Sequence, residues 1–304
     1  MPKNSEAPKN LKPIIISILI DVGIASLVAI VVVGSMAAYS QNWPPLVVIE
    51  SSSMMHGSDS SVGTIDTGDL TLVKHIGDKN EIITYVRGRA TGYTTYGDYG
   101  DVVIYSPPKN VRADPTPVIH RPFLWLEYNS TGKSFDAPEL ASLQYGIDWE
   151  TDSGSCYNIK SSIKLKDVGY RYVEVNIAIN DLLTPAHSGF VTLGDNNRGI
   201  YDQRTNTCRE LVKTEWIIGK AQGEIPWFGL LKLYVDGSIT PSNPAPQVSI
   251  ILLVATVLTI ILLPIALEVC ITLLEKKNQK EEASDCVKEK KRTMPRFCIK
   301  KKKE

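Results

Sequence analysis

Three stretches of this chain carry, in order, the side chains that acyl transfer uses. Val48-Ile49-Glu50-Ser51-Ser52-Ser53-Met54-Met55 offers a hydroxyl, a poor nucleophile until a base takes its proton. Pro117-Val118-Ile119-His120-Arg121 places a candidate base at the end of a short extended run. Phe190-Val191-Thr192-Leu193-Gly194-Asp195-Asn196-Asn197 leads through a turn to Asp202 and so supplies two carboxylates, Asp195 and Asp202, either of which could orient the imidazole. Taken singly, each has a plain structural reading: a serine run as a loop, one histidine as a partly buried ring, Gly-Asp-Asn-Asn as a hairpin turn. The combination of a serine, a histidine and an aspartate gives the stretches a chemical meaning. Of the other histidines, His56 stands too near Ser53 to be expected to fold back onto it, His75 follows a strand-like run, and His187, just ahead of Phe190, is the competitor.

Residues so far apart need a scaffold, and composition limits what it can be. The chain has 304 residues, 43% hydrophobic and 22% charged, with a formal net charge of zero. That neutrality argues against a nucleic-acid binder, which carries a basic excess. It also hides an asymmetry, since the C-terminal end is basic and the middle correspondingly acidic. The five cysteines form no CxxC pair and no metal-ligand rhythm. No metal or cofactor is expected, and Cys156 and Cys208 are either partners in a disulfide or two free thiols.

An apolar run over 13–38 and a second over 248–274, the latter containing Pro264, each exceed the ~20 residues that cross a bilayer. The first is also longer than the ~7–15-residue apolar centre of a cleavable signal peptide, so it reads as an uncleaved anchor. Lys3, Lys9 and Lys12 precede the first run, and Lys276, Lys277 and a lysine-rich tail follow the second; the positive-inside rule puts both ends in the cytoplasm. The expected order is a cytoplasmic N-terminus (1–12), a span (13–38), an extracytoplasmic β domain (39–247), a span (248–274) and a basic, solvated, unstructured cytoplasmic tail (275–304). Asp21 and Glu268 lie inside the spans, about two turns from their cytoplasmic ends, where local water access or a shifted helix boundary is the expected account and a functional role the alternative.

The middle reads as β structure. Leu70-Thr71-Leu72-Val73, Val102-Val103-Ile104-Tyr105, Tyr172-Val173-Glu174-Val175 and Phe190-Val191-Thr192-Leu193 are short, rich in β-branched residues and bounded by turn formers. No helical period long enough for a soluble helix stands out. Gly68-Asp69 and Gly100-Asp101 are expected turns, and Gly88 to Gly100 a surface loop or hairpin. The 123–188 region contains an insertion whose role the sequence does not assign, with a glycosylation sequon at Asn129-Ser130-Thr131.

With Ser51-Ser52-Ser53-Met54, Gly68-Asp69-Leu70, Gly100-Asp101-Val102-Val103-Ile104-Tyr105, Val118-Ile119-His120-Arg121 and Thr192-Leu193-Gly194-Asp195-Asn196-Asn197 in this order, the chain resembles the type I signal peptidases of the archaeal and endoplasmic-reticulum branch. These membrane serine proteases form peptidase family S26. In the bacterial branch a lysine stands where His120 stands here. The chain departs from the family in having Ser52 for the usual glycine and His56 near an expected proline. It also has a single aspartate, Asp202, where a pair is common.

The resemblance implies a mainly β, signal-peptidase-like catalytic domain and a serine endopeptidase that cleaves N-terminal signal peptides after small residues. Ser53 would be the nucleophile, His120 the base, and Asp202 its partner, with Asp195 bracing the loop that presents Asp202 or taking its place. The Ser53 N–H and the Ser51 hydroxyl would form the oxyanion hole. Val48, Ile49, Glu50 and Met54 are the expected substrate-binding residues, at a sheet edge to which an extended peptide adds as a strand. Implied partners are signal-peptide-bearing precursors, the lipid bilayer and the protein translocation channel. The alternatives are a related membrane protease acting on other precursors, and a non-catalytic β scaffold or inactive paralogue.

Overall fold

The computed structural model describes residues 11–113, 116–240 and 244–293, in two compact units, Met1–Ile250 and Ile251–Glu304. Helix α1 (Leu11–Ser40) has no polar face; from Leu19 to Ser40 it is long and apolar enough to cross a membrane, with its large side chains exposed. Helix α4 (Gln247–Thr293) passes the same test over Gln247–Gln279. Both helices outrun the expected spans, and α4 also corrects the expectation for the tail. Its backbone stays helical through 275–293, a stretch dominated by the strong helix formers Glu, Lys, Gln and Ala. The expected N-terminal segment up to residue 10 and the tail from 294 onward lie outside the described residues.

Between the helices the chain is mainly antiparallel β. Strands β1 (Leu46–Val48), β2 (Leu70–Lys74), β5 (Val103–Tyr105), β6 (Val118–Asn129), β11 (Gly189–Leu193) and β12 (Ile217–Ile225) join in the order β1-β2-β12-β5-β6-β11, and β7 (Ser134–Asp136) pairs with the far end of β6. The strand expectations at 70–73, 102–105 and 190–193 hold to within a residue or two. The α1 end is tied to this sheet: His75 N donates to Ser40 O at 2.7 Å, and the Asn42 amide donates to Val73 O and Ile218 O at 3.2 Å each.

Both Gly-Asp steps are turns, as expected, with φ of +100° at Gly68 and +81° at Gly100. The following aspartates are buried because their carboxylates serve backbone donors. Asp101 Oδ2 accepts from Ile83 N at 2.8 Å, and Asp69 accepts from Asp66 N and Trp227 N at 2.9 Å each. Burial pushes the Asp69 carboxyl up to about 7.

Two short helices contradict the expectation of none in this region. Helix α2 (Tyr85–Thr91) starts at the Thr84 cap, whose hydroxyl accepts from Arg87 N, and stops at left-handed Gly92. It is too short for a period to show in sequence. The hairpin expected within 88–100 is confined to β3 (Thr94–Thr95) and β4 (Asp98–Tyr99), turning through Tyr96 and Gly97, both at positive φ. Helix α3 (Leu230–Val235) buries Leu230 on the Gly68 turn; a Cβ at Gly68 would come within 2.4 Å of that leucine.

The expected insertion is not an appendage. Strands β8 (Trp149–Thr151), β9 (Ser162–Val168) and β10 (Val173–Ala178) form a separate three-stranded sheet. Their inward residues Trp149, Ile163, Leu165, Val175 and Ile177 share one apolar core with Phe123 and Leu124 of β6, Val191 of β11 and Val86 of α2. The insertion therefore backs the strands that carry the candidate base. Cys156 belongs to this core and Cys208 to a different one beneath β5; both are free thiols.

Candidate active site

Strand pairing brings the three stretches together. β6 lies between β5 and β11, with Val103 opposite His120 and Leu193 opposite Arg121. Successive strand residues point to opposite faces, so His120 and Arg121 serve different sides of the sheet. Strand β11 ends at Leu193, and the loop that Gly194 opens folds over the Ser53 turn. Asn196 N donates to Ser53 O at 2.8 Å, and its side-chain amide donates to Ser52 O at 2.9 Å. Gly194 is required by this approach, since a Cβ there would stand 2.7 Å from Ser53 O and 2.8 Å from His120 Nε2.

On one face, Ser53 Oγ lies 3.0 Å from His120 Nε2, and His120 Nδ1 lies 2.7 Å from Asp202 Oδ2. Asp202 is fully buried and His120 is 4% exposed. The carboxylate fixes the tautomer: Nδ1–H donates to Asp202, which leaves Nε2 to accept the Ser53 proton. Two hydroxyls converge on the same carboxylate oxygen. Tyr105 Oη and Thr192 Oγ1 each donate to Asp202 Oδ2 at 2.7 Å. Burial and the adjacent Asp202 charge push the Tyr105 phenol well above its ordinary range, so it remains a donor. Ser51 Oγ is 3.3 Å from Ser53 Oγ, at the exposed side of the turn.

On the other face, Arg121 is fully buried, donating to Tyr99 O at 3.0 Å, Gly100 O at 2.9 Å and Thr95 O at 3.2 Å. Its guanidinium meets Asp195 in a fork, Nε to Oδ1 at 2.9 Å and Nη2 to Oδ2 at 2.7 Å. Burial is the largest single influence and raises the Asp195 carboxyl, but the Arg121 charge, the Arg121 hydrogen bonds and the His56 contact together outweigh it and hold the group below the usual carboxylate range. Asp195 also accepts from His56 Nε2 at 2.9 Å. Of the two expected carboxylates it is Asp202 that bonds His120, while Asp195, the alternative partner and expected loop brace, is instead paired with Arg121. His187 bonds Glu210 at 3.1 Å and the Ser188 carbonyl of its own loop, whereas the Ser53 hydroxyl bonds His120.

The Ser53–His120 contact opens onto a cleft of about 700 Å³, walled by Leu46 to Glu50 on one side and Thr116 to Ile119 on the other. Among the described residues β1 pairs only with β2 and so ends the sheet, and its residues Leu46, Val47 and Val48 line this cleft. Val48 and Glu50 line it as expected, and Glu50 is held by Lys232 of α3 at 2.7 Å. Ile49 contributes little side chain, being 2% exposed. Met54 is a correction: it is 1% exposed and packs with Ile49, Ile65, Val73 and Ile104 behind the turn, because the chain reverses after Ser53 and turns that side chain inward.

Sequence reasoning missed Tyr105 and Thr192, which lie inside recognisable strands, where a hydroxyl among buried positions was the available signal; it named His56 but set it aside as a base and did not foresee its bond to Asp195. No protein-family model matches the chain, and no curated protein matches it.

Proposed function

We propose that the protein is a membrane-anchored serine endopeptidase that removes N-terminal signal peptides from exported precursors, of the type the five ordered motifs resemble. The observation that carries this reading is the unbroken line from Ser53 Oγ through His120 to buried Asp202, opening on a cleft of mixed apolar and polar lining that includes residues of the terminal strand β1. A precursor would lie along β1 as an added strand, its main chain bonded to β1 and its small side chains in the wall of valines and isoleucines.

Ser53 Oγ attacks the scissile carbonyl while His120 Nε2 takes its proton, and His120 then hands that proton to the leaving amine. Asp202 stabilises the imidazolium formed in between. The oxyanion is received by the Ser53 N–H and the Ser51 hydroxyl, and losing one such donor costs about 3–4 kcal/mol of transition-state stabilisation. Membrane placement fits the substrate. From Ser40 at the end of α1 to Ser53 the chain is about a dozen residues, at ~3.3 Å each when extended, which allows the nucleophile to sit at the bilayer surface where a signal peptide emerges.

The test is cleavage of a precursor by the full chain in lipid vesicles, with the new N-terminus sequenced. Ser53→Ala and His120→Ala are expected to abolish the product while membrane insertion is unchanged, and Ser52→Ala to cost far less. Undiminished cleavage by Ser53→Ala would overturn the reading.

A further inference from the structure

The 3.0 Å contact between Ser53 and His120 joins two elements that no covalent or strand-pairing link holds at that distance. A second bridge runs beside it. Arg121 follows His120 in β6, His56 directly follows the Ser52–Met55 turn that holds Ser53, and one carboxylate, Asp195, binds both of them. Asp195 is 2% exposed in its side chain and His56 16%, so the bridge is screened from water over most of its surface.

The surroundings of His56 fix its ring. It stacks on Tyr170 with centroids 4.4 Å apart and planes 16° from parallel. Gly97, at φ +79°, leaves room for the ring on the hairpin side, where a Cβ would stand 3.0 Å from it. Tyr170 Oη in turn reaches Met55 O at 3.3 Å, inside the nucleophile turn. The Arg121 fork already neutralises Asp195, so His56 is not needed as a counter-charge. It is the donor that carries the position of the Asp195–Arg121 pair into the serine turn.

We propose that His56 is a positioning residue: through Asp195 it sets the Ser53 turn against the β6 strand that carries His120. The inference rests on the endopeptidase reading above. It concerns geometry, and displacing reacting atoms by about 1 Å costs on the order of 10²-fold in rate.

His56→Phe preserves a ring for Tyr170 and removes the bond to Asp195, whereas His56→Gln loses the ring and retains an N–H donor. Both are measured as full chains in lipid vesicles for kcat, KM and thermal unfolding. His56→Phe is expected to lower kcat by about 10²-fold at unchanged KM, with His56→Gln recovering most of the loss. Wild-type kcat in His56→Phe, with or without a lower melting temperature, would overturn the inference and leave the endopeptidase reading standing. Equal loss in the two variants would also overturn it, because the bond would then not be what matters. A wild-type chain that cleaves no precursor would overturn both.

Discussion

Asp202 and Asp195 each accept a hydrogen bond from a histidine, are each almost fully buried, and lie on either side of one turn, yet their surroundings give them opposite tasks. Asp195 meets a guanidinium in a two-point fork, so its charge is spent within the protein. Among the described residues no arginine or lysine bonds Asp202; its Oδ2 takes neutral hydroxyls from Tyr105 and Thr192 together with the His120 ring. A carboxylate solvated by hydroxyls keeps a charge available to an imidazolium, and one paired with arginine does not. The difference shows that a histidine contact alone does not define what a carboxylate can do, and that its other partners must be counted.

The comparison breaks most directly at the two carboxylates. Asp202→Asn is expected to leave the melting temperature near wild type and to lower kcat by about 10⁴-fold, as loss of the correct tautomer does in a serine triad. Asp195→Asn is expected to do the reverse, because it leaves Arg121 charged, buried and unpaired. Breaking such a pair costs about 3–5 kcal/mol of stability, read as a lower unfolding midpoint, with a smaller loss of turnover. Precursor kinetics beside thermal unfolding separate the two, and a folded, inactive Asp195→Asn with an active Asp202→Asn would reverse the assignment.

A smaller effect tests the hydroxyl cage. Tyr105→Phe removes one donor from Asp202 without opening a cavity, and kcat is expected to fall about tenfold, equivalent to 1.4 kcal/mol, with KM unchanged. Full turnover in this variant would make Tyr105 a core residue whose hydroxyl is incidental.

The smallest effect is in the pH dependence of stability. The Asp195 carboxyl is held below its ordinary value of 3.8 in the folded protein, so its contribution is fully present above that pH and is lost as pH falls through the lower folded value. The stability gap between wild type and Asp195→Asn should therefore be constant at neutral pH and close only below about pH 4, at no more than ~1.4 kcal/mol per pH unit for one proton. A gap that already narrows between pH 7 and 5 would mean that the Arg121 pair does not dominate this site.

Much of this arrangement was legible in the sequence, because some of its determinants are local. Two runs long and apolar enough for a membrane are properties of about 20 consecutive residues, and the strand expectations at Leu70, Val102 and Phe190 rest on short β-branched runs between turn formers. The order of Ser53, His120 and Asp202 is likewise a property of the sequence. What local patterns do not encode is which buried polar group meets which. Choosing Asp202 over Asp195 depends on the antiparallel register of β6 and β11, including its irregularity between Val191 and Thr192, and on the way the loop after Gly194 folds over the serine turn. The same dependence hid the bond of His56 to Asp195, which is distant in the chain, and turned Met54 from an expected cleft residue into core. Helix α2 escaped for a different reason: its Thr84 cap, its Gly92 stop and its place beside β6 hold a single short stretch that no hydrophobic period announces. The sequence determined the kinds of element and the chemical groups on offer. Only the tertiary structure decided their pairing, since a hydrogen bond forms within about 3 Å, and that precision is set by strand register and packing between segments far apart in the chain.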